Sequence, residues 1–499
     1  MATVSDVKYG GDVTGKNETK QIEEFIPQPT ENALSAWQCI RQNPKITLWA
    51  IWANIGSIMI GYENLALSVC LAMPAFQKTF ASEIKGVLLI PAHWQSLWNA
   101  MFNVMTMVGS LAAGPIQDWS VVEPYSSRLL SSPKILTGFA LGAWTVGTQT
   151  FVSEITPLPM RGIALSINTV LMNLGLLIAI SATFSRLTIM DPIAFRVVFA
   201  GAWAFPAAIL LGLLFVPESP YWLVMKGKHE QARRSLTRLS PAGEEIETRL
   251  VNIQHTVELE RRQQGEAGSL IECFYGTNLR RTLITLICFY MSMTVGSVLS
   301  ANSPYFLNQS GLSSDTVLTI TQVGVSMGVL SAIVNLFLMM KFNHRILMFS
   351  GVGICVVAYL TMGIAGAMRR TTTTMTVVGI ALQFSTLSYG PAVGASMAVA
   401  GEVSSTRLRA KTLALGNGFA GVAGTFWMAV LPYLYNTDQA DLGGNLGWIF
   451  FGIAVIYVGF LYFFVPGTKG RTFEELDIMF EKKLPARAFE NYQPQENEA

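Results

Sequence analysis

Charge is what this sequence has least of. Only 13% of its 499 residues are Asp, Glu, Lys or Arg, against about 25% in an ordinary soluble protein. That is too little to coat the roughly two to four soluble domains that the length would allow. Neither sign dominates, with 34 basic and 32 acidic residues and a net charge of +2, so no broad basic field exists to attract nucleic acid. The four histidines (His93, His229, His255, His344) stand apart, without metal-ligand spacing. The five cysteines (Cys39, Cys70, Cys273, Cys288, Cys355) are odd in number and scattered, which suggests neither a disulfide framework nor a metal cluster. No Gly-x-x-x-x-Gly-Lys phosphate loop occurs, which tells against an ATP-driven pump. No nucleophile–base motif occurs either, so an enzyme, a cofactor and a bound metal are not expected. What is abundant is apolar surface: 51% hydrophobic residues and a mean hydropathy of +0.41. The composition is that of an all-α polytopic membrane protein.

A helix needs about 20 mostly apolar residues to cross the hydrocarbon layer. Eleven segments qualify: 46–68, 92–113, 135–156, 162–184, 194–216, 282–301, 316–340, 346–367, 374–399, 412–435 and 446–466. Glycines within them (Gly138, Gly142 and Gly147; Gly390 and Gly394; Gly416, Gly418, Gly421 and Gly424) allow close backbone approach between helices. The expected plan is a polar tail 1–45, without the apolar core of a cleavable signal peptide, and a five-span bundle 46–216, shortened at 114–134. A charged loop 217–281, a six-span bundle 282–466 and a polar tail 467–499 follow. Lys and Arg number five in the first tail, ten in the loop and five in the last tail, which predicts that all three are cytoplasmic. Six spans satisfy that rule; five do not.

An internal repeat shows where the defect lies. Glu154 and Arg161 are seven apart, as are Glu402 and Arg409, 248 positions later; Phe215-Val216-Pro217 recurs as Phe464-Val465-Pro466. Related halves of this kind are a mark of secondary transporters. From Met340 to Glu402 is 62 residues, but from the counterpart Ala113 to Glu154 only 41. The difference is about one membrane helix. The ancestral plan reads as six plus six with the third helix absent, by a real deletion or a misread intron.

Several motifs carry a resemblance. They are Gly61-Tyr62-Glu63, Gly114-Pro115-Ile116-Gln117-Asp118-Trp119, Gly138-Phe139-Ala140-Leu141-Gly142, Glu154 to Arg161-Gly162, and Pro217-Glu218-Ser219-Pro220. Tyr305-Phe306, Glu402 to Arg409 and Gly467-Thr468-Lys469-Gly470-Arg471-Thr472 complete them. From about 40 to 490 the chain resembles the sugar porter family of the major facilitator superfamily, most of all fungal maltose-permease (α-glucoside) carriers. The resemblance implies a two-bundle fold, alternating access, and symport of a sugar with protons across a plasma membrane, both termini being cytoplasmic. It implies a proton-coupling role for Glu63 and a cytoplasmic gate of Asp118, Glu154, Arg161, Glu218, Glu402, Arg409 and Arg471. The Gly-Arg-Arg sequence that would follow Asp118-Trp119 is absent, and Trp119 runs straight into Ser120. The family's glutamine pair on its seventh helix is replaced near Ser292 and Met293, and an aromatic residue on its tenth by Gly394.

The residues read alone leave alternatives. Glu63 sits in an apolar span, where a carboxylate costs at least about 2.5 kcal/mol; it either exchanges protons in a cavity or is hydrated near an interface. The duplicated Glu–Arg spacing is either a gate or interfacial charge placement. Asn54, Asn168, Gln322, Gln383 and Asn417 suit a hydroxyl-rich solute, yet membrane amides also tie helices together. Asn308-Gln309-Ser310 is an N-glycosylation sequon in an expected outer loop. The partners implied are a small solute, protons and lipid, with no nucleic acid and no oligomer called for. Besides proton-coupled sugar import, a carrier of another small molecule or secondary metabolite fits. So does a non-transporting sensor or a defective remnant.

Overall fold

The computed structural model describes residues 36–84, 87–118, 133–213, 215–239, 246–265, 269–295, 298–405, 407–469, 471, 473–489 and 492. The first half comprises α1 (Ala36–Gln42), α2 (Pro44–Ala53), α3 (Ile55–Leu71), α4 (Pro74–Phe80), α5 (Ala92–Asp118), α6 (Pro133–Ile155), α7 (Leu158–Phe184), α8 (Ile193–Gly201) and α9 (Ala204–Leu213). Three helices of the charged loop follow: α10 (Pro220–Met225), which is apolar, and the polar α11 (His229–Leu239) and α12 (Ile246–Gly265). The second half runs through α13 (Gly276–Thr294), α14 (Val298–Ala301), α15 (Ser303–Gln309), α16 (Ser314–Lys341), α17 (His344–Ala367), α18 (Thr372–Phe384), α19 (Ala395–Val403), α20 (Arg409–Tyr435) and α21 (Leu446–Phe464), with α22 (Phe473–Glu481) in the tail.

Seven described helical stretches are long and apolar enough to cross a membrane, and α2–α3 with α4, bent by 73°, make an eighth. Three more passages are long enough but more polar. At 1.5 Å per residue, the 27 residues of α5 reach about 40 Å and the 23 of α6 about 35 Å; the run from α18 through α19 is the third. That makes the eleven expected. Local chemistry sets several ends: Ser313 caps α16 through Thr316 N, Asn343 caps α17 through Arg345 N, and Thr371 forms a capping box with Thr374. Pro391 carries no N–H for the α-helical ladder, and the backbone answers with a π-helical stretch, Tyr389–Gly394, between α18 and α19. One small departure from all-helical structure is present: strands β1 (Ser82–Ile84) and β2 (Val87–Leu89) pair antiparallel before α5.

Within the first half α3 packs on α7 and α5 on α6; within the second, α13 packs on α20 and α16 on the π-helical stretch. The halves meet along two seams, α5 with α20 and α7 with α16. Glycine makes the tightest of these contacts possible. A Cβ on Gly61 would lie 1.8 Å from the Met172 carbonyl oxygen, and one on Gly142 2.0 Å from that of Thr106. Gly418 faces open space and does no such work.

In the second half α21 packs on α17. By the repeat, the counterpart of α17 belongs between α5 and α6, where only 119–132 stand, outside the described residues. A helix of that length would reach about 21 Å, short of the roughly 30 Å core. In the first half, Trp203 between α8 and α9, and Leu210 and Leu211 in α9, are between 63% and 77% exposed.

Candidate substrate pathway and gates

Hydrogen bonds between the two halves gather at one end, opposite the loop helices α10–α12. Tyr305 OH lies 3.0 Å from Ile90 N, which donates to it. Asn436 Nδ2 donates to Ile90 O at 3.2 Å, and Tyr435 OH donates to Gln95 Oε1 at 2.9 Å. Ser96 Oγ donates to Ala429 O at 2.6 Å. Around the rim, Gln77 Nε2 donates to Asn308 Oδ1 at 2.8 Å and Ser314 Oγ to Ala72 O at 2.8 Å. Gln95, Tyr435 and Asn436 are all buried, so this end is sealed by a shielded polar network. The Asn308 amide, the expected glycan acceptor, is half-buried inside that seal and also donates to Leu312 O and Ser314 Oγ.

Glu63 lies in α3 at 9% exposure, one residue from Tyr62, whose hydroxyl donates to Val198 O at 2.6 Å. The close α3–α7 contact through Gly61 and Gly175 holds the backbone of the turn that precedes it.

The expected gate residues separate into two clusters at the charged end. In the first half, Ser219 Oγ donates to the Glu154 carboxylate. Glu218 is exposed, and its backbone carbonyl accepts from Ser235 Oγ. The side chains of Asp118 and Arg161 lie outside the described set. In the second half, Glu402 sits 3.3 Å from His344 Nδ1, and the charge of Arg409 acts on both Glu402 and Asp477. Arg471 donates to the carbonyls of Phe489 and Tyr492 and lies 4.0 Å from Glu475, clamping the tail. The same tail is fixed on α13, where Arg281 pairs with Asp477 and stands 4.5 Å from the Phe480 ring centre.

The five amides expected in the cavity do not converge. Asn54 Nδ2 donates to Ala50 O and Ala164 O, a tie between the first span and α7. Gln383 Nε2 donates to Ser303 Oγ, buried between α18 and α15. Gln322 crosses a seam toward Ser181, Asn417 is exposed, and Asn168 is half-buried. Instead, the α5–α20 seam carries sulfur and aromatic groups. Met107 approaches Gly421, while Met293 and Asn103 approach Gly424; Trp427 Nε1 donates to Tyr290 OH at 3.2 Å. Asn335 occupies the space beside Gly394, its Nδ2 lying 2.4 Å from where a Cβ would stand.

Sequence reasoning missed His344 and the Gln95–Tyr435–Asn436 seal. His344 begins α17, and the shortened stretch 114–134 offers no matching residue in the sequence of the first half, so the repeat could not flag it. The seal joins residues some 340 positions apart, which no local pattern reports.

Two related helical bundles, packed along paired seams and closed at one end, define a membrane transport protein of the major facilitator type. A family model described as "Sugar (and other) transporter" matches residues 125–480, and the chain belongs to that family. Among curated relatives, the MFS transporter fmqE of Aspergillus fumigatus is 28% identical, with 95% of this chain and 94% of the relative covered. That alignment runs over 508 residues, more than this chain contains, so the relative carries segments with no counterpart here. The general alpha-glucoside permease of Saccharomyces cerevisiae is 26% identical, with 92% and 79% covered. In fold, the chain is similar to the inward open xylose transporter XylE from E. coli, with a TM-score of 0.65 at 18% identity, covering 87% of this chain and 99% of that one.

Proposed function

We propose that this chain is a proton-coupled importer of a small hydroxylated solute, an α-glucoside or hexose, working by alternating access in a plasma membrane. The observation that carries the reading is the one-sided seal between related halves, the arrangement an alternating-access carrier needs. The positive-inside rule places α10–α12 and both tails in the cytoplasm, so the Gln95–Tyr435–Asn436 network is the outer gate, closed. Glu63, buried on the first span, takes and releases the coupled proton; Glu154 with Arg161 and Glu402 with Arg409 belong to the inner gate.

A second reading, a carrier of a less polar metabolite, is favoured by Met293 and Met107 at the α5–α20 seam. Thioethers and aromatics suit ring faces and irregular apolar shapes better than sugar hydroxyls. The test is uptake of radiolabelled maltose and glucose in a transporter-deficient host, with and without an uncoupler. Uncoupler-sensitive uptake supports the first reading. Substrate-induced stabilisation by apolar metabolites but not sugars supports the second. If neither occurs, a non-transporting protein remains.

A further inference from the structure

The run α18–α19 is not one rod. A 3-10 turn at Ser385–Ser388 and the π-helical stretch at Tyr389–Gly394, which contains Pro391, separate α18 from α19, and α19 ends one residue after Glu402. The carboxylate of Glu402 is met by His344 Nδ1 at 3.3 Å, from the first residue of α17. His344 is 8% exposed, while the Glu402 side chain keeps 31% of its surface open. An imidazole is the side chain that ordinarily changes charge between about pH 5 and pH 8. When protonated, it gives Glu402 a charge-assisted bond; when neutral, it offers a weaker one, and only in the Nδ1–H tautomer.

We propose that His344 is a proton-sensitive positioning residue of the inner gate, tethering the cytoplasmic end of α19 while protonated and loosening it as the cytoplasm becomes alkaline. The orientation rests on the reading given above; the tether itself does not.

The charges around the pair are accounted for element by element. Arg409 opens α20 and faces both Glu402 and Asp477 of α22. Arg345, next in α17, turns onto Tyr462 O at 3.0 Å. Lys469, after α21, donates to the carbonyls of Met339 and Phe342 at the end of α16. Of these residue types, only histidine ordinarily switches charge in the range named. In the first half, Glu154 accepts from the hydroxyl of Ser219.

The test uses the purified full-length chain in detergent with a spin label at Gly401→Cys, a position with open space around its Cβ. The five native cysteines are buried, so labelling there is selective. Label mobility is followed from about pH 5 to pH 8. A step to higher mobility is expected as the pH rises. His344→Arg should hold the low-mobility value throughout, and His344→Gln the high one. Glu402→Gln should remove the step as well. Each variant is first checked for a monodisperse peak and the parent's unfolding temperature, so that a misfolded variant is recognised. A flat profile in the parent, or a step that survives in His344→Gln, overturns the proposal. No substrate is involved, so a failure here is distinct from a failure of the transport reading.

Discussion

Ser110 Oγ lies 3.2 Å from the carbonyl oxygen of Gly142, on the helix that follows its own in the chain. Gly138 packs against Phe102 and Gly142 against Thr106, so residue numbers rise together along α5 and α6. The two helices run in the same direction. Consecutive membrane helices ordinarily alternate, and the parity conflict read from the basic residues is here made physical: one crossing between them has no described helix.

That relationship predicts a rescue. Inserting an apolar helix of about 21 residues between Trp119 and Ser120 supplies the missing crossing. Expression of the extended chain should give a higher yield of monodisperse protein than the parent, measured by fluorescence-detected size exclusion. An unchanged or lower yield would show that the present connection is self-sufficient.

The α5–α6 contact itself should tolerate no bulk. Gly142→Leu must displace the backbone of Thr106, an overpacking that costs about 1–3 kcal/mol or more, and should lower the unfolding temperature measurably. Gly418→Ala, with nothing within 4 Å, is the control and should leave it unchanged.

Closing the seal permanently should stop transport. Gln77→Cys with Asn308→Cys places two thiols where the native side chains touch at 2.8 Å. A short cleavable thiol cross-linker should reduce uptake about tenfold or more, and cleavage should restore it. Uptake that persists after full cross-linking would show that this rim does not need to part.

Glu63→Gln removes the titrating group from the first span while keeping its shape. Gradient-driven accumulation should be lost, while exchange of labelled for unlabelled solute across the membrane continues. A variant that still accumulates solute under a proton gradient would move the coupling role elsewhere.

The sequence was most informative where a pattern repeats or a composition constrains. Apolar runs gave the eleven passages, and the duplicated Glu–Arg spacing pointed to a shortened stretch between α5 and α6, which lies outside the described residues. The small residues at Gly138 and Gly142 announced a close helix pair. It was least informative about which way a side chain faces. Asn54 and Gln383 read equally well as ligand groups or helix ties, and the structure makes them ties because carbonyls and a hydroxyl from neighbouring helices reach them first. Arg471 belongs to a motif expected at the gate, and its bonds to the tail carbonyls of Phe489 and Tyr492 could not be read from that motif. The hairpin at 82–89 is only three residues per strand, too short for period-two patterning to stand out.

The sealed end has a consequence for measured affinity. If the sealed form is the resting one, a solute arriving from outside meets a binding-competent population of only a small fraction, and its apparent dissociation constant is the intrinsic one divided by that fraction. Each interhalf hydrogen bond, at about 0.5–1.5 kcal/mol, deepens this handicap. Loosening Gln95 or Asn436 would therefore sharpen outside affinity without touching a single ligand contact, so weak apparent binding by the parent chain is no measure of how well its cavity fits the solute.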